Sequence, residues 1–348
     1  MRHMIMIVAV VGVLAAPSGA AAALPEPAEF PTTDAVGKWM ATYHAHPNPA
    51  RLPAVVRALS ALGAFKEPES AGVYVGFIAG VLGANPTKAE DLIGKIVPAI
   101  TPVDQWVVVR ATAYSGHHSW QRWLRRFREQ MPTRQAMVDK YLDGRLQTLD
   151  EIPLERTEPG FWDKVKGNFM TASAAKPIGL TFDRSPELLD TLWGYYFATH
   201  SEQQIKRIIT LLPWANERDS VDKLTVGNMA KYTLATNAAR DNDLLDMLRR
   251  VSKREPKNVA SELNEIVEAA ETMQTTRLRK DALASIEELK RKGPGSKRDI
   301  SNWGQIGQGA LALGCIAAAA TGHIEFGLPC VIGGAASSAA LSYWNNQQ

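Results

Sequence analysis

The feature that most constrains this chain is the spacing of its apolar residues, which recur at three and four positions rather than two. Thr33 and Asp34 can cap a helix carrying Val36, Trp39, Met40 and Tyr43. Leu52, Val55, Val56, Leu59 and Leu62 form the next stripe, closed by Gly63. Asn85-Pro86 is a stop followed by a start, with proline at the first helical position. Leu92, Ile93, Ile96 and Val97 continue from it until Pro98. Asp104 opens a segment with Trp106, Val109 and Ala113, and Trp120, Trp123, Leu124 and Phe127 share the face of another. Ser185-Pro186 is a further start, followed at helical spacing by Leu189, Leu192, Trp193 and Tyr196. No Asn-Gly turn is flanked by alternating strands. The expectation is an all-α protein of roughly a dozen helices, arranged as an irregular α-solenoid-like array.

A faint internal similarity runs through the array. Leu124-Arg125-Arg126-Phe127, followed by Pro132, is matched by Leu248-Arg249-Arg250-Val251, followed by Pro256. At the same offset Thr112 meets Thr236 and Trp120 meets Leu244. Upstream, Gly76-Phe77-Ile78-Ala79 resembles Gly194-Tyr195-Tyr196-Phe197 at a different offset, so the pairing needs gaps. Two related units are expected at about 34–132 and 185–256, against chance similarity between amphipathic helices. Gly76-x-x-x-Gly80 reads as a close helix–helix contact rather than a phosphate loop.

The two ends read differently. Residues 1–23 follow the order of a cleaved secretory signal: Arg2, an apolar run from Ile5 to Ala16, then Ala20 to Ala23. An uncleaved anchor helix is the rival reading. The style of signal points to a bacterial periplasmic or secreted protein. A helical body over 24–292 closes with a charged stretch over 257–292, where Glu262, Glu265, Glu268 and Glu271 flank a narrow stripe of Leu263, Ile266 and Val267. Residues 293–302, opening with Gly293-Pro294-Gly295, form a linker. Residues 303–348 are rich in Ala and Gly and read as a helical hairpin, with Ala310, Gly314, Ala318 and Gly322 four apart. Cys315 and Cys330, the only cysteines, fall in it. In an oxidising compartment they are expected to pair, which closes a loop worth roughly 3 kcal/mol on the chain-entropy picture. The hairpin can pack on the body, contact a membrane through 303–344, or self-associate. Its runs are at the lower limit for a bilayer span.

Composition excludes little. Of 348 residues 45% are hydrophobic, and the formal net charge of +3 gives no footprint for nucleic acid. There is no P-loop, dinucleotide fingerprint, nucleophile elbow or H-E-x-x-H, so no cofactor and no catalytic set is implied. His44, His46, His117 and His118 are the metal-ligand candidates, but without a Cys/His/carboxylate cluster they read as polar turn residues. The best binding patch is Trp120 and Trp123 beside Arg122, Arg125, Arg126 and Arg128, since arginine stacks on indole and grips carboxylate or phosphate. An ordinary amphipathic helix is the alternative. The function expected is a non-catalytic scaffold of the bacterial envelope that binds an unknown protein or envelope polymer. The alternatives are a membrane-associated protein acting through its hairpin and an envelope hydrolase with an unrecognised site.

Overall fold

The computed structural model describes residues 29–152 and 186–272, with the isolated positions 284, 288 and 291. The expected leader, linker and hairpin, with Cys315 and Cys330, lie outside the described residues. Among those described the chain is all-α, with twelve α-helices and no strand. They are α1 (Thr33–Thr42), α2 (Leu52–Ala61), α3 (Gly72–Ala84), α4 (Pro86–Ile96), α5 (Trp106–Ala113), α6 (Trp120–Phe127), α7 (Gln135–Leu142), α8 (Pro186–Thr199), α9 (Glu202–Ile209), α10 (Val221–Ala238), α11 (Asn242–Ser252) and α12 (Lys257–Glu271).

Local chemistry sets most boundaries. The α1 cap is Thr32, one residue earlier than Thr33-Asp34 suggested, its Oγ1 accepting the Ala35 N–H at 3.2 Å. Beyond α2, Gly63 takes φ +74°, the left-handed terminator that glycine adopts without strain. Pro86 is the first residue of α4. Asp104 does not cap α5. Its carboxylate accepts the Ser60 Oγ hydrogen at 2.6 Å and so ties α2 to the start of α5. Asp241 caps α11, Oδ1 accepting the Leu244 N–H at 3.0 Å.

At the centre the packing departs from an array in which each helix rests on its sequence neighbours. α3 and α8 make the most extensive contact of the molecule although the whole of α4 to α7 lies between them in the chain. Gly72 lies against Glu187 and Asp190, Gly76 against Thr191, and Gly80 against Tyr195 and Ala198, so the two helices run parallel. A methyl group on Gly76 would collide with the Thr191 carbonyl, and one on Gly194 with the Val73 carbonyl. The offset that aligns Gly76 with Gly194 also aligns Val73 with Thr191, so the contact is reciprocal. Small residues at this spacing let two backbones touch. Both helices are buried nearly all round, as their central place requires.

α1 and α2 precede this pair without a counterpart among the described residues; the helices that follow α3 and α8 come in the same order in the chain. α4 and α9 follow, each leading into a 3₁₀ turn (Val97–Ala99 and Leu212–Asn216). α5, α6 and α7 then correspond in order to α10, α11 and α12, with two further 3₁₀ turns before α7. Several matched residues occupy similar environments, although Trp120 is half-buried where Leu244 is fully buried. Leu124, Phe127, Leu248 and Val251 are buried, and Thr112 and Thr236 each donate Oγ1 to the carbonyl four residues back.

Candidate functional site

Chemistry-bearing side chains gather at three places. The first is the exposed face of α6. Trp123, Leu124 and Phe127 are buried, because residues three and four apart fall on one side of an eight-residue helix. Trp123 is fully buried and stacks on the His117 ring at 5.0 Å, so it belongs to the core and not to the surface patch. Arg128 is also spoken for: Nε and Nη2 donate to the two Asp139 oxygens at 2.8 and 2.9 Å, a bidentate clamp from α6 to α7. Trp120 is half-buried, while Arg122, Arg125 and Arg126 are exposed. Arg122 and Arg126 share one carboxylate, Glu90 of α4, each at 3.3 Å, with side chains 69% and 65% exposed. The surface that solvent meets is therefore three arginines beside an indole edge, with a single acid between two of them.

The second place holds the histidines. His44 lies in the 3₁₀ turn after α1, and its ring stacks on His200 at 3.5 Å. His46 is exposed at the end of that turn. His200 ends α8 in the left-handed region (φ 52°), its N–H bonded to the Tyr196 carbonyl at 2.7 Å. It fills the place glycine usually takes. Tyr196 stacks on the other face of His200 and donates its hydroxyl to Asp241 Oδ2 at 2.8 Å. Burial lowers the His200 pKa first and the neighbouring His44 adds to it, with Asp241 and Asp243 opposing. Replacing His44 with alanine is therefore expected to raise the His200 pKa, readable by NMR titration of the imidazole. An unchanged or lower value would contradict the stacked arrangement. Just before α6, His117 Nδ1 accepts the Ser119 N–H at 3.1 Å and His118 lies beside it at 4.1 Å. Burial, then His118 and Arg122, lowers the His117 pKa. Among the described residues no three His, Cys, Asp or Glu side chains converge to hold a metal ion.

The third place is interior, and sequence reasoning missed it. Arg110 of α5 donates from Nη1 to Glu187 Oε1 of α8, both nearly sealed from solvent. Asp190, one turn further along α8, is 2% exposed, and its Oδ1 has no hydrogen-bond partner. Burial pushes the Glu187 pKa up to about 7 against the pull of Arg110, and pushes Asp190 well above the ordinary carboxylate range. The available signal was a lone charge in an apolar run: Arg110 within Trp106–Ala113, and two acids without a base within Pro186–Thr199.

Among the described residues no helix is long and apolar enough to cross a membrane. Comparison of the chain with protein-family models, curated proteins and solved structures finds no match.

Proposed function

We propose that this chain is a non-catalytic helical scaffold of the bacterial envelope that holds another, negatively charged macromolecule on the exposed face of α6. The observation that carries the reading is the arrangement of Arg122, Arg125 and Arg126: three cations on a helix whose far side is locked into the core, with Glu90 the shared counter-charge of two. A row of guanidinium groups is suited to carboxylates or phosphates on a partner. With this reading go cleavage of the leader at 1–23, a Cys315–Cys330 bridge in the C-terminal segment, and a common origin for the two halves of the body.

The triple variant R122E/R125E/R126E tests it. These side chains are exposed, and surface ion pairs contribute at most about 1 kcal/mol, so the fold should be retained. A stoichiometric partner recovered from envelope extracts with the wild-type chain is expected to be lost with the variant. The wild-type capture should also weaken steeply with added salt. Capture that survives both charge reversal and salt would sink the proposal, as would turnover of a substrate by the purified protein.

A further inference from the structure

We propose that the clasp between the two halves of the body is proton-dependent: Glu187 and Asp190, enclosed between α3, α5 and α8, hold a proton at neutral pH, and losing it loosens α8 from α3 and α5. The geometry carries this. Two buried acidic side chains stand three residues apart on one face of α8, with the Glu187 carbonyl and the Glu187 and Asp190 side-chain stems against Gly72 at the start of α3. The titratable groups facing them are Arg110 from α5 and Tyr114 just after it, Tyr141 from α7, Tyr74 from α3 and Glu69 from the turn before it. Asp34 of α1 acts on Tyr74. Arg110 is the one cation of this set, and its Nη1 already donates to Glu187. Among the described residues two buried carboxylates face one guanidinium, which leaves a net buried negative charge, and Asp190 Oδ1 has no hydrogen-bond donor there to soften it. Keeping one proton on the pair removes that cost.

The site is an interface and not an isolated core defect. Arg110 belongs to the first half of the body and Glu187 and Asp190 to the second, and their contact lies at the end of the glycine seam where Gly72 meets α8. Helix backbones in direct contact cannot separate slightly to admit water at that end without weakening the whole seam.

The pH dependence has a definite sign. An acid whose pKa is raised on folding binds more protons in the native state than in the unfolded one. Stability is therefore full at low pH, falls as pH rises above the unfolded value, and levels off above the native value. For Glu187 that window runs from the ordinary value of 4.5 to about 7, and for Asp190 it begins at 3.8 and extends well above it. His200 and His117 work in the opposite direction below the ordinary imidazole value of 6.5, so the measurement belongs in a His117→Asn/His200→Asn background as well as in the wild type.

The experiment is urea unfolding of the full chain from pH 5 to 8.5, with D190N alongside. The folded-to-unfolded ratio is expected to fall with rising pH, by up to about tenfold per pH unit for each proton held. D190N is expected to flatten that slope and to raise stability at the alkaline end. Because D190N could fold poorly, hydrogen exchange of the wild type, corrected for intrinsic rates, gives a second readout. Amides of α3 and α8 should open more often at pH 8 than at pH 5. A wild-type stability that is flat or rising over this range overturns the proposal, as does a D190N slope equal to that of the wild type.

Discussion

Replacing Gly76 with alanine is expected to destabilise the protein by about 3 kcal/mol or more, although alanine is the better helix former by about 1 kcal/mol. The added methyl meets the Thr191 carbonyl, which is backbone and cannot rotate away. Relief requires α3 and α8 to move apart, and that opens the contact along its whole length. Gly194→Ala should behave alike, since its methyl meets the Val73 carbonyl from the other side. Gly94→Ala in α4 is the internal control. There a methyl would sit 3.5 Å from the Phe127 ring, an ordinary contact, so the propensity gain should show as a small stabilisation. Urea midpoints of the three variants decide the matter. Gly76→Ala and Gly94→Ala shifting in the same direction would mean that the seam is not where the structure puts it.

Trp193→Ala should be comparably severe, at about 3–5 kcal/mol. The side chain is fully buried on α8, stacked on Phe197 at 5.8 Å and edge-on to Tyr196 at 5.7 Å. Its Nε1 donates to Thr233 Oγ1 at 2.9 Å and so joins α8 to α10. Truncation leaves a large cavity and breaks the bond between the two helices. Trp193→Phe should cost less, because it keeps most of the volume and loses the hydrogen bond. Thermal and urea unfolding separate the two. A Trp193→Ala variant within about 1 kcal/mol of the wild type would show that α8 is not packed as described.

What could be read along the sequence was local. The three-and-four spacing gave the helices, Pro86 and Gly63 gave a start and a stop, and Gly76-x-x-x-Gly80 gave a close helix contact. The partner in that contact could not be read the same way. α3 and α8 are buried nearly all round, so even the Leu189–Tyr196 spacing in α8 does not say which face meets which helix. The resemblance of Gly76-Phe77 to Gly194-Tyr195 was visible, but not that the two segments touch. His200 escaped notice because left-handed termination belongs to glycine by default. The aromatic–arginine patch was half legible. Its core stripe already contained Trp123, and that fixes the indole inward whatever the neighbouring arginines suggest. The Arg110–Glu187 pair joins residues far apart in the chain, and no periodicity encodes such a partner.

The central claim is that one helical body is built on the α3–α8 seam, with the remaining helices laid on either side. Native-state hydrogen exchange of the full chain tests it most directly. The amides of α3 and α8 should exchange slowest of all and should open together, at the free energy of global unfolding, while α6 and α7 open at lower cost. If α3 and α8 open independently of each other, or if either exchanges faster than α6, the seam is not the core of this protein.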